Sequence, residues 1–406
     1  QPVTVKTVNK PEWELELDVK DGVALIAAGN RAVLGTADGQ VLMIDLESHE
    51  VCWKTRLEGR PLGLAAADDR LYVSTDRGAI HCFGKKGFFS RTKMVRPPEG
   101  HDHSVEQRYV DAAKAIVVAT GITDGYCVDI ACGDGQLAQA LAAETNLLIY
   151  AVDPDAGKVS AARERLDAAG LYGTRVTVHQ GDPAALPYPP YFANLIVSAQ
   201  SLQDGASAVP AATVARLQRP FGGVSCLGPP DAMAVDTRGP LEHAGIWTHQ
   251  YCTPANVNCS ADVVVKGPLG MHWFRDSDFF MPSRHGRGPA PLFLDGRLFV
   301  EGLDGFRAVD AYNGRPLWEY SASGIMGTHD QEHLVGTSAT GSNFCVAGDT
   351  LYINLKDRCV KLDVATGQVR REIPTLNQAD GSPGTWGFVA IENGTLYGSL
   401  ANTEHL

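Results

Sequence analysis

GYCVDIACGDGQLAQALAAE, residues 125–144, joins an apolar run to a small-residue turn and then to a helical pattern. Tyr126 to Ile130 reads as a buried strand. Asp129-Ile130-Ala131-Cys132-Gly133-Asp134-Gly135 reads as the turn that follows it, with a helix from about Gln136. Glycines at such a turn let backbone approach a ligand where a side chain would collide. A second strand, LLIYAVDPD (147–155), carries Asp153, 20 residues beyond Gly133 (153 − 133), followed by Pro154. An acid at the tip of a second strand is placed to accept hydrogen bonds from ribose hydroxyls.

The pattern continues in order. AGKVSAARERLDAAG (156–170) puts Val159, Ala162 and Leu166 on one helical face. RVTVHQGDP (175–183) is a third strand ending at Gly181, Asp182 and Pro183, and ANLIVSAQ (193–200) is a fourth. A fifth strand is expected after Gly222-Gly223. Strands alternating with helices indicate a parallel α/β sheet.

On either side the grammar changes to short alternating strands and tight turns. The repeats are GNRAVLGTADGQVLMIDLESHEVCW from Gly29, DDRLYVSTDRGAIHCFG from Asp68, DGRLFVEGLDGFRAVDAYNGRPLW from Asp295, GDTLYINLKDRCVKLDVATGQV from Gly348 and the shorter ENGTLYGSLANTEHL from Glu392. Leu71 and Val73, and Leu298 and Val300, mark half-buried strands of period two. Asp38-Gly39 and Asp304-Gly305 are expected to supply positive φ for hairpins, and Asn313-Gly314 and Thr366-Gly367 close later turns. Trp53 and Trp318 are expected to pack between neighbouring sheets. Such spacing without intervening helices predicts radially repeated antiparallel sheets.

These motifs carry two resemblances. The order Asp129–Gly135, Asp153, Gly181-Asp182 and Arg219-Pro-x-Gly-Gly resembles class I S-adenosylmethionine-dependent methyltransferases; dinucleotide binding would prefer G-x-G-x-x-G. The strand, D-G, strand, L-D-x-x-T-G-x-x-x-W phrase resembles the PQQ-like β-propeller repeat family. Together they resemble planctomycete-type bacterial fusions of the two, with propeller blades over 11–88, a methyltransferase-like domain over 100–230 and further blades over 241–406. The inserted portion as a whole runs from about Lys85 to Arg238, and about six blade-like units are expected, the last truncated. The resemblance implies S-adenosylmethionine as cofactor, held by Asp129, Ala131, Cys132, Gly133, Gly135, Asp153, Pro154, Gly181, Asp182 and Pro183. It implies a methyltransferase whose acceptor and catalytic residues the sequence does not identify, with the propeller as substrate or partner platform.

The chain departs from the family at Ala131, where a glycine is usual, and at Asn194, where an acid is common. The usual last two strands have no evident counterpart. The competing expectation is a non-catalytic scaffold or sensor with a degenerate insert. A quinoprotein oxidoreductase is disfavoured, because no adjacent cysteines and no ligand cluster for PQQ stand out.

Composition narrows the class further. Net charge is −12, from 35 basic and 47 acidic residues, which argues against nucleic-acid affinity. Mean hydropathy is −0.11 and no apolar run reaches a membrane-spanning length. The chain starts at Gln1, so a periplasmic or exported location is expected if a signal peptide was removed, and a cytoplasmic one otherwise. Nine cysteines show no C-x-x-C spacing; Cys252 and Cys259 share one loop and are expected either to bridge or to remain free thiols.

Outside the α/β portion, Arg284, His285 and Arg287, with His272, Trp273 and Arg275, form a basic and aromatic loop cluster, expected either to hold an anion or acidic substrate or to pair its arginines with acids such as Asp276 and Asp278. His329, Glu332 and His333 fit H-x-x-E-H spacing, but no helix surrounds them, so no metal site is expected. His101 and His103 read as linker residues. Tyr188 and Tyr191 are expected to line the acceptor pocket or wall off the adenine.

Overall fold

The computed structural model describes residues 12–19, 21–85, 104–182, 184–185, 188–275, 279, 281, 289–323, 325, 344–355 and 357–400. The chain divides into two compact units, Gln1–Glu99 and Gly100–Leu406.

In the first unit, β1 (Gly22–Ala28), β2 (Arg31–Thr36), β3 (Gln40–Asp45) and β4 (Glu50–Arg56) form one antiparallel sheet in sequence order. β5 (Pro61–Ala67), β6 (Arg70–Thr75) and β7 (Ile80–Gly84) form another. The period-two pattern sets the faces: Val33 and Val41 meet Leu71 and Val73 in a shared core. The β2–β3 hairpin turns on Gly39, at φ +88°. Trp53 packs edge-on against Phe83 with centroids 5.0 Å apart, joining the two sheets as expected.

The second unit begins with α1 (Gln107–Thr120), β8 (Tyr126–Ile130), α2 (Gln136–Glu144), β9 (Leu148–Asp153), α3 (Ala156–Ala168) and β10 (Val176–Gln180). It continues through β11 (Leu195–Val197), α4 (Ser201–Asp204), α5 (Ala211–Leu217), β12 (Val224–Leu227) and β13 (Ala234–Thr237). The sheet order is β10-β9-β8-β11-β12-β13; the first five strands are parallel and β13 is antiparallel to β12. The expectation that neither of the usual last strands has a counterpart is thus corrected for one. AVDT shows little hydrophobic patterning because all four of its residues are exposed on a sheet edge.

α1, α2 and α3 bury Ile116, Leu137, Leu141, Val159, Ala162 and Leu166 against one face of the sheet. Among the described residues, no helix stands between β10 and β11. There the rings of Tyr188 and Phe192 cover Tyr150, with centroids 5.9 Å from it in each case. This places Tyr188 in an aromatic cluster on the sheet face. Tyr191 instead lies under the Arg238 guanidinium, 4.7 Å from its centroid.

Three antiparallel sheets follow. β14 (Leu292–Leu294), β15 (Arg297–Gly302), β16 (Gly305–Asp310) and β17 (Pro316–Ser321) form the first. β18 (Phe344–Ala347), β19 (Thr350–Asn354), β20 (Arg358–Asp363) and β21 (Val369–Pro374) form the next, and β22 (Trp386–Glu392) pairs with β23 (Thr395–Leu400). In β15 the fully buried side chains are Phe299 and Glu301, while Leu298 and Val300 are half-buried, so both faces of this strand are covered. Gly305 does not take the expected positive φ. It is glycine because an added Cβ would lie 2.3 Å from the Tyr320 carbonyl oxygen.

One docking device recurs between these segments. Trp318 lies on Gly367, where an added Cβ would come within 2.6 Å of the ring, and its indole N–H donates to the Val364 carbonyl at 2.9 Å. Trp273 lies on Gly314 in the same way, and its N–H donates to the Ala311 carbonyl at 2.9 Å. Trp273 and its neighbour His272, which meets the Tyr312 ring edge-on at 6.4 Å, therefore belong to packing rather than to the anion site read from the sequence. Arg284, His285 and Arg287 lie outside the described residues, as do His101, His103, His329, Glu332 and His333. Cys252 and Cys259 are unbridged, the first buried and the second exposed.

The parallel sheet is fastened to the β14–β17 sheet by buried polar groups. Arg219 and Asp310, with side chains 10% and 2% exposed, pair at 2.5 Å. Asn313 donates to the Asn194 side-chain oxygen at 3.0 Å and to the Phe192 carbonyl at 2.9 Å, and the Tyr126 N–H donates to the same Asn194 oxygen at 3.0 Å. Asn194, the departure noted at the fourth strand, is thus a junction residue at the opposite end of the strand from the turn of residues 131–135. Removing one partner strands a buried charge, so Asp310→Ala is expected to cost about 3–5 kcal/mol in urea unfolding. A loss under 1 kcal/mol would show that the junction carries little.

His249 ties three segments of the second unit. Its Nε2 accepts the Ile391 N–H at 3.1 Å, and its neighbour Thr248 accepts the Val346 N–H through its carbonyl at 3.0 Å. Burial lowers its pKa to about 4. The unfolded imidazole takes a proton near pH 6.5, so stability is full above that pH and falls as pH drops toward 4. The loss is about 3 kcal/mol by pH 4. His249→Gln is expected to remove that part of the pH dependence in unfolding titrations.

Candidate binding site at the carboxyl edge of the parallel sheet

The turn after β8 is built from left-handed backbone. Ala131, Gly133 and Gly135 take φ of +53°, +61° and +81°. Asp153, 2% exposed at the end of β9, holds this turn. Its Oδ2 accepts the Gly133 N–H at 3.0 Å and its Oδ1 accepts the Asp155 N–H at 2.9 Å. The Cys132 N–H donates to the Val152 carbonyl at 3.0 Å, and the Gly181 N–H to the Asp153 carbonyl at 3.1 Å. Carboxylates that accept backbone N–H groups form strong, oriented hydrogen bonds.

The glycines serve different ends. A Cβ on Gly133 would meet nothing within 4 Å, so its backbone faces open space. A Cβ on Gly135 would come 3.1 Å from the Cβ of Ala162, so this glycine lets α2 pack closely on α3.

A cavity of about 470 Å³ opens over the turn. Ala131, Gly133, Asp134 and Gln136 form its floor, with Glu106, Arg108 and Tyr109 from the start of α1. Lys158, Ala199, Gln200, Gln203 and Asp204 complete the lining. Gln136 clamps the entry to α1: its Oε1 accepts the Glu106 N–H at 2.8 Å and its Nε2 donates to Glu106 Oε1 at 3.1 Å. Arg165 pairs with Asp134 at 3.0 Å and donates to the Ser104 carbonyl, also at 3.0 Å.

Of the residues read as cofactor ligands, Ala131 and Gly133 line the cavity, whereas Asp129, Cys132, Gly135 and Asp153 are buried and do not line it. Gly181 joins through its bond to Asp153. Pro154 is exposed beside Asp153, and Asp182 is exposed and caps its own turn by accepting the Ala184 N–H at 2.8 Å; neither lines this cavity. Pro183 lies outside the described residues. The sequence reading missed the contribution of α1. Its signal was the spacing of Tyr109, Ala112, Ala113 and Ile116, closed by Gly121 at φ +66°.

Asp129 is fully buried. Its Oδ1 accepts the Ala199 N–H at 2.9 Å, and its Oδ2 has no hydrogen-bond partner among the described residues. Burial first, and the nearby Asp153 charge after it, push its pKa up to about 7. Burial likewise pushes the Cys132 thiol well above its ordinary value, so it is no nucleophile at neutral pH. Among the described residues, no three His, Cys, Asp or Glu side chains are grouped to hold a metal.

Ala131 thus carries a side chain at a left-handed position. An L-residue in the left-handed region costs about 1 kcal/mol over glycine. Ala131→Gly is therefore expected to stabilise the second unit by about 0.5–1 kcal/mol, read from the urea midpoint. A destabilised variant would show that the Ala131 methyl contributes packing that outweighs this strain.

The family described as "Methyltransferase domain" matches residues 127–222, and that described as "Outer membrane protein assembly factor BamB", of the PQQ-like repeat type, matches residues 277–396. No curated protein matches the chain. Among solved structures, a Methanococcus maripaludis protein with the provisional name S-adenosyl-L-methionine-dependent methyltransferase is 32% identical. The match covers 30% of this chain and 56% of that one, at a TM-score of 0.27. The YcgJ protein of Bacillus subtilis is 22% identical over 29% of this chain and 49% of its own, at 0.24. The geranyl diphosphate C-methyltransferase of Streptomyces coelicolor is 16% identical over 28% and 41%, at 0.24. The chain spans about half the length of the solved proteins it matches. With its turn, second-strand acid and strand order, the chain carries a methyltransferase domain at residues 127–222, together with a PQQ-like repeat region at residues 277–396.

Proposed function

We propose that this chain binds S-adenosylmethionine over the turn of residues 131–135 and transfers its methyl group to a small acceptor. The observation that carries the reading is the pairing of Gly133 with Asp153: the carboxylate fixes the turn through the Gly133 N–H, and the space above that glycine is empty. The open face of Gly133 and the orphaned oxygen of Asp129 both fit a polar, cationic ligand.

When bound, the cofactor supplies an electrophilic methyl on a sulfonium. The protein's part is binding and orientation. Asp153 keeps further acceptor capacity on both oxygens for ribose hydroxyls. Gly181 and Asp182 lie at the adjoining strand end for the adenine. Glu106, Arg108, Gln200, Gln203 and Asp204 offer donors and acceptors of both signs to the amino-acid end and the acceptor. Methyl transfer depends chiefly on proximity and alignment, so no strong acid–base pair is required. The antiparallel sheets are read as PQQ-like propeller blades serving as a platform for the acceptor or a partner; the repeated Trp-on-Gly docking at Trp273 and Trp318 supports that reading.

A second reading, a sensor that binds the cofactor without turnover, is favoured by the strained Ala131. Calorimetry with S-adenosylmethionine and its demethylated product tests the first step. Both are expected to bind, and Asp153→Ala is expected to weaken binding by about 1–3 kcal/mol. No heat of binding at millimolar ligand would overturn both readings. Binding with no methyl transfer to any acceptor of a broad small-molecule panel would leave the sensor.

A further inference from the structure

Asp129 is a fully buried carboxyl with one oxygen satisfied, by the Ala199 N–H at 2.9 Å, and one that meets no donor among the described residues. An ionised carboxylate in that position is costly unless a proton or a positive charge compensates it. The titratable groups that act on or feel it come from each neighbouring element: Asp153 from β9, Cys132 from the turn, Tyr109 from α1 and Cys127 on β8 itself. All are acids or neutral groups. The cations of the cavity have other partners or a different place: Arg108 pairs with Glu106 at 2.9 Å, and Lys158 stands on the first turn of α3. Two residues after Asp129 the chain reaches the cavity at Ala131, and its hydrogen-bond partner Ala199 lines the same cavity.

We propose that Asp129 is a charge-selecting residue, protonated in part in the free protein and ionised when a sulfonium ligand occupies the turn, so that the site favours the methyl donor over the uncharged thioether product. The inference rests on the reading of this cavity as the cofactor site. The two ligands share their adenosine and amino-acid ends and differ by one positive charge at sulfur. A neighbouring carboxyl that gives up its proton to the buffer gains a partner with the first ligand and none with the second. Product left after transfer then meets a carboxyl that prefers to take its proton back, which weakens retention of the product. The burial that raises the carboxyl's pKa to about 7 sets this exchange in the neutral range.

The test is titration calorimetry of the whole chain with S-adenosylmethionine and with its demethylated product, in phosphate and in Tris, at pH 6 and pH 8. The difference in heat between buffers counts protons. The donor is expected to release a fraction of a proton near neutrality, and the product to release less. If donor binding lowers the carboxyl's pKa by about one unit, the donor-to-product affinity ratio rises about fivefold from pH 6 to pH 8. In Asp129→Asn, which keeps an oxygen for the Ala199 N–H, the ratio is expected to be flat with pH. Equal proton counts and a flat ratio in the wild-type protein overturn this inference and leave the cofactor reading standing; the wild-type counts decide even if the variant does not fold. Failure of both ligands to bind at millimolar concentration overturns the cofactor reading itself, and this inference with it.

Discussion

The joining of the two kinds of sheet in the second unit depends on the buried pair Arg219–Asp310. Arg219 sits just before β12 and Asp310 at the end of β16, so this pair ties a parallel sheet to an antiparallel one. Burying two charges costs several kcal/mol each, and that cost is offset only when the remaining donors and acceptors are satisfied. Here they are: Arg219 also donates to the carbonyls of Pro220 at 3.0 Å and Gly296 at 3.2 Å, and Asp310 accepts the Tyr312 N–H at 3.0 Å. Asn194 and Asn313 extend the same junction with neutral bonds.

That junction explains a residue the sequence left as an oddity. Asn194 departs from an acid common at its position, and the departure reads first as decay. In place its oxygen accepts from both Tyr126 and Asn313, and its amide NH2 faces Asp310 at 3.5 Å. An aspartate there would face Asp310 with a like charge. Pattern alone does not reveal this, because the partner lies more than a hundred residues away in sequence and belongs to a different sheet.

What the sequence made legible follows the range of each interaction. The strands and helices of the α/β core were readable from local periodicity, since Val159, Ala162 and Leu166 answer to one helical face and Cys127 and Val128 to a buried strand. Turns at Gly39, Gly314 and Gly367 were readable from dipeptides, because positive φ is a local demand. Gly305 has a glycine for a non-local reason, a carbonyl pressed against it from β17, and dipeptide logic named the wrong cause. β13 was missed because an exposed edge strand has no buried face to impose a pattern. Trp273 was read as part of a binding loop because its docking glycine belongs to the next sheet.

The candidate site shows the same division at finer scale. A motif of small residues after a strand looks like one signal, but its members answer to separate constraints. Gly133 takes a positive φ and faces open space, whereas Gly135 is small because α3 is close. Ala131 has the backbone of a glycine without being one. The chain tolerates it because the turn is held from three sides, by Asp153 at Gly133, by Val152 at Cys132 and by the Gln200 N–H, which donates to the Ala131 carbonyl at 3.3 Å. Strain of about 1 kcal/mol is small against three such bonds at about 1 kcal/mol each. The departure at Ala131 is therefore a cost the turn absorbs, and it does not by itself remove the geometry that a ligand would meet.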